Sequence, residues 1–289
     1  KILPQPKGMS DWIVDTFDEP FADSSAWPLY HICRAAREHI TVALTGDGGD
    51  EVFGGYDRYR ALHLAQNLKP YQYLGLQIAG KVAAFVAPHK ERHFIRRFVR
   101  FTQALPYPPA VQYFILRRLF GPEDLAKLLS PAFVERYGIN LDEPAEWFCS
   151  LFEQGQSSSQ AVNAQHCDMA TYLPDDLLVK SDRASMAASL ELRSPMLDHE
   201  LIDIGLALPV ASKLNDKHGK LILQKAFGDV LPQKLFMRQK QGFGVPLAGW
   251  LRNELREELR TAFTDTTFKK LGIFDKAAVA SLATEHVAG

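Results

Sequence analysis

The chain has 289 residues, 46% of them apolar and 23% charged, and its net charge at pH 7 is −1. That length holds one large core, or one core with a helical subdomain. The balanced charge leaves no basic footprint for nucleic acid and no polybasic patch for a membrane, and no apolar run reaches the ~18 residues of a membrane span.

Cys33, Cys149 and Cys167 are widely spaced and form no Cys-x-x-Cys pair. They suit buried, inert thiols in a reducing cytoplasm better than a disulfide framework or a catalytic thiol. The opening residues, Lys1-Ile2-Leu3-Pro4, offer neither an initiator Met nor a signal-peptide core, and read as the start of a fragment.

The first predicted helix lies between Asp23 and His39. Asp23, Ser24 or Ser25 can cap it, Pro28 is tolerated in its first turn, and Leu29, Ile32, Cys33 and Ala36 share a face. Ile40 to Leu44 is short and β-branched and reads as a buried strand, ending in a glycine loop at Gly46. Glu51 to Leu64 is again helical in character. Helix, strand, glycine loop and helix in succession are the wiring of an α/β unit with a parallel sheet.

Residues 61–150 read as a helical subdomain broken by prolines, whose basic cluster (Lys90, Arg92, Arg96, Arg97, Arg100) has the pattern of a solvated face. The polar run from Gln154 to Gln160 marks a loop. Asp198 caps a predicted helix with Leu201, Ile204, Gly205 and Leu208 on one face, stopped at Pro209. A further helix carries Leu223, Ala226, Phe227 and Val230, and the last forty residues read as an amphipathic helix through Leu251, Leu255 and Leu259 with a weakly specified tail.

Thr45-Gly46-Asp47-Gly48-Gly49-Asp50-Glu51 sets three carboxylates and three glycines in seven residues. Glycine lets a backbone approach a ligand closely, and a carboxylate beyond the end of a parallel strand can hold Mg²⁺ together with substrate phosphates. Asp-Gly is also a common turn, so on these residues alone an acidic surface turn and a ligand site stand level. The segment has no EF-hand ladder, and the chain contains no Gly-x-x-x-x-Gly-Lys-Ser/Thr loop.

Read with its neighbours, the loop becomes specific. The blocks run in order from Asp18-Glu19-Pro20-Phe21-Ala22-Asp23-Ser24-Ser25 through Val42 to Tyr56, Tyr172 to Met186 and Leu190 to Asp198, and end at Arg238-Gln239-Lys240-Gln241-Gly242-Phe243. Together they resemble the synthetase domain of the glutamine-hydrolysing asparagine synthetases over most of the chain. The resemblance implies an α/β fold of the adenine-nucleotide α-hydrolase-like (Rossmann-like, ATP pyrophosphatase) type, here helix-rich with few parallel strands. It implies ATP and Mg²⁺, with aspartate activated as β-aspartyl-AMP and amidated by ammonia that a separate amino-terminal glutaminase domain releases from glutamine. A homodimer is a possible assembly.

By position, Thr45 and Gly46 would lie against the nucleotide, with Thr45 where the family usually has Ser. Asp47 would act near the acyl-adenylate, where the family often has Glu. Asp50 would bind the metal, and Lys240 would offset charge at the α-phosphate. Lys180, Asp182, Arg183, Glu191 and Arg193 carry charges that serve either the site or ion pairing between helices. Asp18, Glu19 and Asp23 either shape access or cap helices.

Neither the glutaminase domain nor the family's Ser-Gly-Gly-x-Asp-Ser pyrophosphate loop occurs in residues 1–289. This polypeptide alone is therefore expected to bind ATP weakly and not to turn over. The competing readings are an amidotransferase or cyclase acting on another carboxylate, such as a sugar acid or a peptide, and a non-catalytic degenerate module. Asp47 argues against the cyclase branch, which has Tyr at that position.

Overall fold

The computed structural model describes residues 4–86, 93–236, 244–264 and 270–288. It is a helix-rich α/β structure. Helices α1 (Met9–Phe17) and α2 (Ala26–Arg37) lead into strand β1 (Val42–Leu44), after which come α3 (Gly49–Phe53) and α4 (Asp57–Gln66). Six helices follow: α5 (Pro70–Val86), α6 (His93–Ala104), α7 (Pro109–Arg117), α8 (Pro122–Leu128), α9 (Pro131–Tyr137) and α10 (Glu143–Gln154). Prolines open α5, α7, α8 and α9, where a missing N–H costs nothing.

Helix α11 (Gln160–Ala170) runs through a π turn at Leu173–Leu178 into α12 (Val179–Met186) and strand β2 (Glu191–Arg193). A 3₁₀ turn at Pro195–Leu197 then delivers α13 (His199–Ala207), whose cap is the expected Asp198, accepting from Glu200 N at 3.0 Å.

Beyond α13 come α14 (Val210–Lys213), α15 (Leu221–Phe227), α16 (Gln233–Phe236), α17 (Leu247–Arg252) and α18 (Arg256–Thr264), and the described chain closes on a helix over Lys276–Ala288. Two expectations change here. Helix α15 stops at Phe227, leaving Val230 exposed beyond it. The run through Leu251, Leu255 and Leu259 breaks at Asn253, because Leu255 N turns back to Trp250 O at 2.7 Å, and the tail forms a helix of its own.

Strands β1 and β2 pair in parallel, with Val42 opposite Glu191, Ala43 opposite Leu192 and Leu44 opposite Arg193. The expected burial of β1 is not observed. Val42 and Leu44 point to a face that no described element covers, and only Ala43, on the opposite face, is half-buried. Period-2 alternation decides this: with one face covered, every second residue is exposed whatever its hydrophobicity.

The main apolar core lies among α4, α7, α10 and α11, built on Tyr59, Tyr113, Phe148, Phe152 and Cys167. A second cluster joins Met9, Trp27, Trp250 and Leu255. Cys33 and Cys167 are buried free thiols, as expected, whereas Cys149 is only half-buried; burial raises all three, Cys167 to about 12.

Candidate active site

Parallel pairing sets the carboxyl ends of β1 and β2 side by side, where open α/β sheets bind their ligands. Thr45 N donates to Arg193 O at 2.8 Å, which carries the pairing one residue past β1. This brings Thr45 against Ser194, with their hydroxyl oxygens 2.8 Å apart. Thr45 Oγ1 donates to Asp47 Oδ2 at 3.0 Å, so its lone proton is committed and Ser194 must be the donor to Thr45. Ser181 Oγ, from α12, donates to the same Asp47 oxygen at 2.9 Å. Asp47 is thus anchored by hydroxyls from the residue after β1 and from α12, and through Thr45 by the segment after β2.

The glycines of the loop have separate physical reasons. Gly48 has φ of 83°, and an added Cβ would come within 2.0 Å of Leu197 Cδ2, so both backbone conformation and space exclude a side chain. Around Gly46 an added Cβ would meet nothing within 4 Å, which leaves the approach to the loop open. At Gly55 a Cβ would lie 1.8 Å from Asp50 Oδ1, so the turn after α3 brings its backbone directly onto the Asp50 carboxylate.

Asp50 Oδ1 faces Lys220 Nζ at 3.1 Å. Lys220 stands at the N-cap of α15 in the left-handed region, with φ of 54°, and its N–H donates to Phe53 O at 3.2 Å. The same amine lies 3.6 Å from where a Cβ of Gly49 would be. Asp50, Lys220 and the open side of Gly46 together offer a carboxylate and an ammonium beyond the strand ends. Mg²⁺ takes one or two carboxylates and completes its shell with water and phosphate oxygens; of these two groups only Asp50 is an oxygen donor, and its carboxylate is paired with the Lys220 ammonium.

The third acid of the motif is directed elsewhere. Glu51 is buried, accepts from Tyr56 OH at 2.6 Å, and has its pKa raised, mainly by burial. No group of three metal-ligating side chains converges among the described residues. The mutual repulsion expected of three adjacent carboxylates is relieved by helical geometry, which turns Glu51 to the core side of α3. Gln165 of α11 then donates to the carbonyls of Glu51 and Val52 at 2.6 and 3.0 Å and ties α3 to the core.

Behind the loop lies a buried polar centre. Asp168 is fully buried and accepts from Arg58 Nη2 at 2.6 Å and from Tyr59 OH at 2.6 Å, with Arg117 Nε at 3.4 Å. Arg58 in turn lies over the Tyr56 ring at 3.6 Å from its centroid. A chain of contacts thus runs from Asp168 through Arg58 and Tyr56 to Glu51 and α3.

To one side, Lys180 Nζ meets Asp23 Oδ2 at 2.7 Å. Burial raises the Asp23 carboxyl, but the hydrogen bond and charge of Lys180 outweigh it and hold Asp23 below its ordinary value. Asp176 is pushed up to about 6 by burial and by the Asp23 charge.

Of the residues singled out from the sequence, Thr45, Gly46, Asp47 and Asp50 come together at the end of β1; Lys240 lies outside the described residues. Lys180 forms an inter-helix ion pair. Arg183 reaches Asp18 at 3.6 Å on the surface, and Glu191 and Arg193 pair with each other at 2.6 Å, also exposed. Asp23 accepts from Ser25 N at 2.9 Å at the start of α2. Ser181, Ser194, Lys220 and Asp168 were not anticipated. Ser181 and Ser194 lay inside recognised blocks, whereas Lys220 and Asp168 carry no local signal.

The family model described as asparagine synthase matches residues 9–289. Asparagine synthetase [glutamine-hydrolyzing] 1 of Bacillus subtilis is 33% identical over 258 residues, 88% of this chain and 38% of that protein. A putative asparagine synthetase [glutamine-hydrolyzing] of Mycobacterium bovis is 32% identical over 278 residues, 96% of this chain and 40% of its own length. More distantly, Amidase chry2 of Gibberella zeae is 23% identical over 247 residues, covering 82% of this chain and 36% of the amidase. The chain therefore spans about two fifths of the length of the curated relatives it matches most fully. With the family model covering nearly its whole length, this chain belongs to the asparagine synthase family.

Proposed function

We propose that this chain forms the synthetase part of an enzyme that amidates a carboxylate at the expense of ATP, with aspartate as the acceptor and asparagine as the product. The observation that carries this reading is the convergence of Thr45, Asp47, Ser181 and Ser194 beside the Asp50–Lys220 pair at the ends of two parallel strands. In the proposed reaction an oxygen of the aspartate side-chain carboxylate attacks the α-phosphorus of ATP, and pyrophosphate leaves with the bonding electron pair. Ammonia, supplied from glutamine by a glutaminase domain, then attacks the acyl carbon of β-aspartyl-AMP; AMP departs and the nitrogen loses a proton.

Thr45 and Gly46 would bound the nucleotide, the open approach over Gly46 letting phosphate come close to the backbone. Asp47, held by two hydroxyls, would orient the acyl-adenylate or take the proton released in amide formation. Mg²⁺, when bound, would supply charge neutralisation of the polyphosphate, with Asp50 as its protein ligand. Lys240 would offset charge at the α-phosphate, and Lys220, 3.1 Å from Asp50, is added here as a second cation for the leaving pyrophosphate. Residues 61–150 are read as a helical subdomain of this unit.

The test is to assay the full-length gene product with glutamine, aspartate and ATP. Asparagine and AMP formed in equal amounts support the reading. AMP formed only with a different carboxylate, a sugar acid or a peptide, would assign the chain to an amidotransferase of another acceptor. No AMP with any acceptor would make it a binding module.

A further inference from the structure

The first turn of α4 and the length of α6, with Leu116 of α7, wall a cleft of about 840 Å³, a volume that suits a small-molecule ligand. Five arginines line it: Arg58 and Arg60 from α4, and Arg96, Arg97 and Arg100 from α6. Asp57 is the one acidic residue among its lining. None of the cleft's lining residues is among those gathered at the ends of β1 and β2.

Arg58 is neutralised from behind by Asp168 at 2.6 Å. Asp57 is shared between Arg97 at 2.5 Å and Arg60 at 3.4 Å, so one carboxylate serves two guanidiniums. Arg96 and Arg100 have no acidic partner among the described residues. Four guanidiniums against one carboxylate leave the cleft an excess of three positive charges, in a chain whose net charge is −1. A merely solvated basic face carries its arginines on one helix and turns them to water. Here two helices turn them to a common space, where like charges repel until an anion enters, and the concave wall concentrates their field. Arg96, Arg97 and Arg100 are exposed, so their charges are free to meet a ligand.

The same cleft has an aromatic side. Phe94, Phe98 and Phe101 recur at intervals of four and three along α6, which sets them on one stripe of the helix with Arg97 beside it. Phe94 is 81% exposed, so packing within the protein does not account for it. Rings beside guanidiniums fit a ligand with an aromatic face at one end and several phosphates at the other. A base stacks on Phe, and guanidinium forks take phosphate oxygens two at a time. An excess of three charges matches a polyphosphate better than a single phosphate or carboxylate. We propose that the α4–α6 cleft is a binding site for a nucleoside polyphosphate, with the base against Phe94 and Phe98 and the phosphates held by Arg60, Arg96, Arg97 and Arg100.

The experiment is equilibrium dialysis of the full-length protein against ATP, and separately against inorganic tripolyphosphate, with no aspartate or glutamine present. The variant Asp50→Ala/Lys220→Met, altered at the strand ends, should still bind ATP, more weakly as salt is added. Adding Arg96→Gln/Arg100→Gln to it should weaken both ATP and tripolyphosphate at least about tenfold. Adding instead Phe94→Ser, at an exposed position, should weaken ATP about fivefold or more and leave tripolyphosphate unchanged. Should the strand-end variant fold poorly, the arginine pair substituted in the otherwise unaltered protein should remove one bound ATP. Circular dichroism and the unfolding midpoint check that each variant is folded. Three outcomes would overturn the proposal: no ATP bound by the folded strand-end variant, ATP binding unchanged by the arginine substitutions, or tripolyphosphate bound as tightly as ATP with no effect of Phe94→Ser. The first two would return the arginines to a solvated face or to another segment of the full-length polypeptide, and the third would assign the cleft to a bare polyphosphate.

Discussion

Replacing Asp168 with Ala tests whether the buried polar centre behind the loop holds the candidate site in shape. The carboxylate has no solvent exposure, and the Arg58 side chain that meets it at 2.6 Å is 16% exposed. Removing one partner of such a pair strands a cation in a poorly hydrated place and costs about 3–5 kcal/mol. Tyr59 OH loses its acceptor as well, and an unsatisfied buried hydroxyl adds roughly 1–3 kcal/mol. These terms overlap, so the expected loss is about 4–6 kcal/mol, about a third or more of the ~5–15 kcal/mol that holds a domain folded. Urea unfolding followed by tryptophan fluorescence measures it. Because Arg58 also lies over Tyr56, and Tyr56 holds Glu51 of α3, residual folded Asp168→Ala should bind ATP more weakly although Asp168 is not among the residues proposed to meet the nucleotide. A second variant, Arg58→Met/Asp168→Leu, removes the closest ion pair of the centre, leaving Arg117 at 23% exposure, and should recover part of the loss. A loss below about 1 kcal/mol for Asp168→Ala, or no recovery in the paired variant, would refute the reasoning.

Other expectations follow from single contacts. Gly48→Ala places a side chain at φ of 83° and onto Leu197; positive φ and overpacking together should destabilise by about 2–3 kcal/mol, read from the urea midpoint. Lys220→Met removes the cation beside Asp50 and should lower kcat/KM for ATP roughly 10- to 100-fold in the full-length enzyme, while changing stability by less than about 1 kcal/mol because the pair is partly exposed. Asp176, pushed up to about 6 from an ordinary 3.8, keeps its proton in the folded state where the unfolded chain has released it. Its contribution to stability is therefore fully present below pH 3.8 and is lost as the pH rises through about 6; unfolding free energies across that window should fall in the wild type and flatten in Asp176→Asn. Lys213 is fully buried, donates to Gly205 O at 3.1 Å, and is pushed down to about 8 by burial alone. The unfolded chain then binds the extra proton between about 8 and 10.5, so stability should rise with pH over that range and Lys213→Met should abolish the rise.

Much of the candidate site was legible because it is made of local signals. The strand, the glycine loop and the short helix α3 follow one another within a dozen residues, and the cap at Asp198 needs nothing beyond its own neighbours. Order and spacing of the blocks carried the family resemblance. The burial of β1 was misjudged because hydrophobicity states what a strand could bury, not which of its faces another element covers. The three acids of the loop looked alike in one dimension, and helical phase separated them, leaving Asp50 beside Lys220 and turning Glu51 to the core.

The sequence by itself determined the α/β wiring, the family and the residues at the end of β1, because backbone propensity and short motifs act over a few positions. Only the tertiary structure decided that Ser181 and Ser194 anchor Asp47, that Lys220 meets Asp50 across 170 residues of chain, and that Asp168 gathers Arg58 and Tyr59. It also separated the apolar outer face of α5 from the face that packs against α6. Each of these pairings joins distant segments, and the physical reason is common to them: a charge or hydroxyl acquires its role from what folding brings within 3 Å, which no window along the chain contains.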